Sequence, residues 1–99
     1  MYDDLETFLR HHTGLVLVNL WERDCLASAY MERLMHELER HSPIPILRLT
    51  LAEHRDWAHL HGVYGTPALI AYYQGRLLFR LIGRVTSTEL LQQLQDYNL

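Results

Sequence analysis

Ninety-nine residues, of which 48% are hydrophobic and 21% charged, fit one small globular domain with a modest core. A formal net charge of −3 lacks the basic footprint of a nucleic-acid binder, and no apolar run is long enough to span a bilayer as a helix. The single cysteine, Cys25, excludes an intramolecular disulfide and leaves a structural thiol, a reactive monothiol or an intermolecular bridge.

Residues 3–12 place Leu5, Phe8 and Leu9 on one helical face, and Asp3-x-x-Glu6 reads as a capping box. Thr13-Gly14 stops that helix. Residues 15–21 form a continuous apolar run, as expected of a strand covered on both faces. Residues 26–41 carry Tyr30, Leu34 and Leu38 at helical spacing, with Met31 and Met35 beside them, and Tyr30, Leu34, Met35 and Leu38 read as core. Ser42-Pro43-Ile44-Pro45 breaks the helix. Ile46–Leu51 alternates Ile46, Arg48 and Thr50 with Leu47, Leu49 and Leu51, a strand pattern. Thr50-x-x-Glu53 is the expected cap of a short helix carrying Trp57, Ala58 and Leu60, ended by Gly62. Residues 68–73 and 77–82 are two strands joined at Gln74-Gly75-Arg76, a hairpin signal. Thr86-x-x-Glu89 opens a last helix with Leu90, Leu91 and Leu94 inward.

The order is α-β-α-β-α-β-β-α, with no linker, repeat or low-complexity segment, so residues 1–99 read as a single domain. The first pair of strands, joined through a helix, is expected to be parallel, and the final pair antiparallel. The expected class is α/β: three α/β/α layers around a mixed four-stranded sheet.

Cys25 stands where the first strand ends and the second helix begins. A thiolate there faces unpaired backbone N–H groups and the positive end of a helix dipole, a setting that makes a cysteine reactive. Asp24 and Glu22 oppose the thiolate while Arg23 and the helix terminus favour it, so the net sign is open. The other reading of a lone cysteine is a small buried hydrophobe. The seven histidines include His11-His12 and the group His54, His59 and His61, but no cysteine or tight ligand spacing accompanies them, and no metal site is expected.

Trp21-x-x-x-Cys25 before a helix and Gly65-Thr66-Pro67 before a hairpin resemble, in that order, the W-x-x-W-C-G-P-C and G-I-P-T motifs of the thioredoxin family. Gly75 and Gly83 add to the likeness, which covers about residues 3–97. The family's usual first strand is absent ahead of the first helix, so the Ile46–Leu51 strand is expected at a sheet edge, where Pro43, Pro45 and Arg48 suit a blunted edge. Leu26-Ala27 stands for the Gly-Pro pair, and Asp24 for the aromatic residue before the nucleophile. Arg33 stands where thioredoxins often kink this helix with proline.

Ser28 occupies the place of the second, resolving cysteine. Asn19 replaces the buried acid of V-D-F-W, which serves that second thiol, and Arg48 corresponds to the nearby lysine. Asn19 hydrogen-bonds without titrating. The resemblance implies that Cys25 is the nucleophile, with Ser28 donating to its thiolate. It implies that Pro67 follows a cis peptide bond facing the thiol, that Thr66 offers its backbone to an extended client strand, and that Trp21, Leu26, Tyr64 and Gly83 line the surrounding surface. A trans proline opening a strand, and a core Trp21, are the other readings of those residues.

Two functional readings result. In the first, the protein is a monothiol member of the thiol–disulfide exchange and cell-redox machinery, forming mixed disulfides with a client protein or with glutathione as co-substrate, and holding no resident cofactor. In the second, it is a redox-inactive binding module, a chaperone or assembly factor, using the groove beside Pro67. Neither reading calls for nucleic acid or membrane. The acidic N-terminus, with no apolar run, does not read as a secretory signal, and a reducing cytoplasm is the expected compartment.

Overall fold

A computed structural model describes residues 2–97, with side chains from Leu5 onward. The elements are α1 (Tyr2–His11), β1 (Leu15–Trp21), α2 (Leu26–His41), β2 (Ile46–Thr50), α3 (Arg55–Leu60), β3 (Ala68–Tyr73), β4 (Arg76–Ile82) and α4 (Ser87–Asp96). The sheet order is β2-β1-β3-β4. β1 and β2 are parallel, as a helical crossover requires, with Asn19 opposite Arg48. β1/β3 and β3/β4 are antiparallel. Among the described residues no strand precedes α1, and β2 forms one edge, its five residues all half-buried.

β1 shows why a continuous apolar run was needed. Val16, Val18 and Leu20 face one core with Leu9 of α1, Trp57 and Ala58 of α3, and Ala68 and Ile70 of β3. Leu17, on the opposite face, joins Met31 and Met35 of α2, Leu69 and Phe79 of the hairpin, and Leu90 and Leu94 of α4. Alternation along a strand covered on both sides demands apolar residues at both parities. The result is three layers, α1 and α3 on one face, α2 and α4 on the other. The Trp57 indole N–H donates to Glu6 (2.6 Å) and pins α3 to α1.

Several sequence expectations require correction. On α2 the fully buried line is Ser28, Met31 and Met35, spaced three and four apart; Tyr30, Leu34 and Leu38 flank it and are only partly buried. On α4, Leu90 and Leu94 point inward, but Leu91, about 100° further round the helix, is 52% exposed. The Thr50 hydroxyl donates to Glu53, yet α3 starts later, at Arg55, with His54 as its N-cap and no side-chain cap bond. β4 begins at Arg76, one residue before the expected start. The turn is therefore the two-residue Gln74-Gly75, with φ of 53° and 82°, the left-handed pair of a type I′ hairpin. The Thr86–Glu89 capping box forms in full. The box expected at Asp3 lies outside the described side chains.

Candidate functional site

β1 ends at Trp21, and Glu22-Arg23-Asp24 turns the chain into α2. Asp24 adopts φ 55°, a left-handed conformation that a short polar side chain tolerates better than most. Cys25 follows as the extended N-cap of α2, its carbonyl accepting the Ala29 N–H (3.0 Å) while its own side chain makes no cap bond. The thiol is thus left at a helix terminus whose first N–H groups have no intrahelical partner.

Those groups act on the sulfur. The Ser28 hydroxyl, and the backbone N–H groups of Ser28 and Ala27, hold the Cys25 thiol below its ordinary pKa by stabilising the thiolate; partial burial and the Glu22 carboxylate oppose them. The sign left open by the sequence is therefore downward. Ser28 is 4% exposed, and its oxygen accepts the backbone N–H of Glu22 (3.2 Å). With that acceptor position filled, its proton is free for the sulfur.

Asn19 lies beneath this junction on the α2-facing side of β1, fully buried, and neither end of its amide has a partner among the described residues. Its register neighbour Arg48 is engaged elsewhere. The Arg48 guanidinium donates to Glu32 (2.8 and 3.0 Å) and Glu39 (2.9 and 3.1 Å), both on α2, which straps the edge strand to the helix. Those carboxylates raise the Arg48 pKa, and Arg48 lowers that of Glu39.

An open groove of about 1000 Å³ runs past Cys25 toward β2, lined by Trp21, Leu26 and Ser28 among others and floored by Glu32 and Arg48. Leu26 is 91% exposed and Trp21 half-buried, so Trp21 belongs to the groove wall rather than to the core. The remaining candidate residues lie outside this lining. The Thr66–Pro67 peptide is cis, and the Pro67 carbonyl accepts the Gly83 N–H (2.7 Å). Tyr64, 71% exposed, lies against the ring of His59 at the end of α3, 4.6 Å between centroids.

The two groups of residues are joined by one that the sequence reading assigned only a charge. Glu22 accepts a hydrogen bond from the Thr66 hydroxyl, and its backbone N–H fixes Ser28. The pairing crosses 44 positions of sequence, so no local pattern announces it. Among the described residues no three His, Cys, Asp or Glu side chains gather in a set that could hold a metal ion. No helix among them is long and apolar enough to cross a membrane.

No protein-family model matches the sequence, and no curated protein matches it. Solved structures do. A chain from the structure describing the thiol-resolving mechanism of yeast mitochondrial 1-Cys peroxiredoxin via glutathione/thioredoxin systems superposes with a TM-score of 0.84 at 18% identity, covering 95% of this chain and 88% of that one. A mutant thioredoxin from Halobacterium salinarum also gives 0.84 at 18% identity, over 98% of this chain and 85% of that one. At that identity the likeness is one of backbone. Taken with the mixed four-stranded sheet, it shows that the chain has a thioredoxin-like fold.

Proposed function

We propose that this protein carries out monothiol thiol–disulfide exchange in cell redox homeostasis, with Cys25 as nucleophile. The observation that carries this reading is Cys25 as the partly exposed N-cap of α2, lining an open groove, where Ser28 and the helix terminus lower its pKa. A structural cysteine has no use for an arrangement that stabilises its anion.

The Cys25 thiolate attacks one sulfur of a client disulfide, R–S–S–R′. The bond Cys25–S–S–R forms and R′–S⁻ leaves, taking a proton from solvent. Ser28 has no thiol with which to cleave the mixed disulfide, so a second molecule, glutathione or a client thiol, attacks it and restores Cys25. The Thr66 backbone beside cis-Pro67, with Trp21 and Leu26 as apolar walls and Gly83 behind, is the surface on which an extended client segment would lie. The reaction fits a reducing compartment, in keeping with the cytoplasmic expectation.

The test is a pH titration of the thiolate absorbance in the unaltered protein and in Cys25→Ser, followed by mass spectrometry after exposure to oxidised glutathione. A thiol pKa below the model-peptide value of about 8.5 and a glutathione adduct at Cys25 are expected. An ordinary pKa with no adduct would sink the exchange reading.

The exposed apolar side chains Leu26, Tyr64 and Ile82 favour a second reading, a non-covalent binding module. It predicts that client binding survives Cys25→Ser unchanged.

A further inference from the structure

The exchange site has a charge asymmetry that the thiol chemistry does not require. Around the Cys25 groove stand the carboxylates of Glu22, Asp24 and Glu32 and the guanidinium groups of Arg23 and Arg48. Arg48 is neutralised by Glu32 and Glu39 together. Arg84, just beyond Gly83, lies over the Tyr30 ring, 4.4 Å from its centroid. Glu22 differs from the rest in two ways. Its carboxylate opposes the Cys25 thiolate. Its carboxylate is also held in place, by the Thr66 hydroxyl, against the residue that precedes cis-Pro67. A carboxylate on a free stem would average over many positions, whereas this one lines the same groove as Cys25 and is tethered to the loop at Thr66.

We propose that Glu22 is a specificity-determining residue of the exchange site, selecting disulfides that carry cationic groups beside the sulfur and disfavouring anionic ones such as oxidised glutathione. The proposal rests on the exchange reading above. An incoming disulfide must bring its sulfur to Cys25 and its flanking groups past the Glu22–Thr66 bridge. A cation there is attracted and a carboxylate repelled, at a separation within the ~8 Å Debye length of physiological salt. The reaction is the same for each substrate: Cys25–S⁻ attacks, one mixed disulfide forms and one thiolate leaves.

The test uses three small disulfides that differ in charge: cystamine, a dication; hydroxyethyl disulfide, neutral; and oxidised glutathione, a net anion. Second-order rates of Cys25 with each are measured in the unaltered chain and in Glu22→Gln. The amide keeps the shape and the acceptor for Thr66 while removing the charge. Glu22→Gln also alters the thiolate fraction, but that change is common to all three probes and cancels in their ratios, as do the differing leaving groups when the two proteins are compared. The expected result is that the cystamine-to-glutathione rate ratio falls about threefold or more in Glu22→Gln, the magnitude of one screened unit charge at contact range. The same ratio should fall with added salt in the unaltered chain. An unchanged ratio in Glu22→Gln, with all three probes still reacting, overturns the proposal while leaving the exchange reading standing. No reaction of Cys25 with any probe in the unaltered chain overturns both.

Discussion

At the scale of single residues, Ser28 and Asn19 are the buried polar side chains among the described residues. The Ser28 oxygen accepts the Glu22 backbone N–H, which orients the hydroxyl, and Ser28 lowers the Cys25 pKa. In Ser28→Ala that donor is lost and the thiol pKa moves up toward its ordinary value. The thiolate fraction then drops, and the rate of exchange slows at neutral pH; the difference vanishes well above the thiol pKa, where both proteins are ionised. A pH–rate profile of alkylation by iodoacetamide reads this directly, and superimposable profiles would remove Ser28 from the site. Asn19 is a neutral amide in a fully buried position. Asn19→Asp places a carboxyl there, and burial raises its pKa above the unfolded value of about 3.9. The protein should match its parent below that pH, where the acid is protonated in both states. It should lose stability as pH rises toward the raised folded value, reaching a deficit on the order of 3 kcal/mol once the buried group is forced to ionise. Urea unfolding at acid and neutral pH measures the difference.

At the scale of elements, the hairpin and the edge strand show two ways of fixing a sheet. The β3–β4 turn needs left-handed φ at both Gln74 and Gly75, and a Cβ on Gly75 would come within 2.6 Å of the Arg10 carbonyl oxygen at the end of α1. Glycine there meets a backbone demand and a spatial one together. Gly75→Ala should cost about 2 kcal/mol or more, since the strain of the conformation adds to the clash with backbone. A lowered urea midpoint with an unchanged slope is the expected result; a neutral effect would mean that α1 moves aside freely. β2, by contrast, has a free edge, and it is tied down by Arg48 reaching two carboxylates on α2. Those ion pairs are partly exposed, so their contribution is modest and fades with salt.

At the scale of the whole molecule, one sheet is shared by two cores. Trp57 reports on the α1/α3 side, and α2 and α4 form the other helical layer. Because β1 and β3 contribute residues to both cores, neither core should survive the loss of the other. In a Trp21→Phe background, Trp57 fluorescence and far-ultraviolet circular dichroism should trace coincident unfolding curves. Separated transitions would show that the two layers fold independently.

The amino-acid sequence by itself determined the elements and their order, because apolar periodicity, glycine stops and cap pairs are local signals. It marked Cys25 as the residue at a strand-to-helix junction, and it carried the motif order that points to the thioredoxin-like fold. Where it erred, Leu91 was misplaced in phase, one position round the helix from the buried line, and the start of α3 was set by the loop at His54 and not by the Thr50–Glu53 pair. Tertiary structure alone decided the rest. The direction of the Cys25 pKa depends on how residues 22–28 are placed around the helix terminus, while the neutralisation of Arg48 and the Glu22–Thr66 bridge join groups 9 to 44 positions apart, and the burial of Asn19 needs the packed α2 layer. Electrostatic and hydrogen-bond energies depend on distance and burial in space, and a sequence fixes those quantities only after the chain has folded.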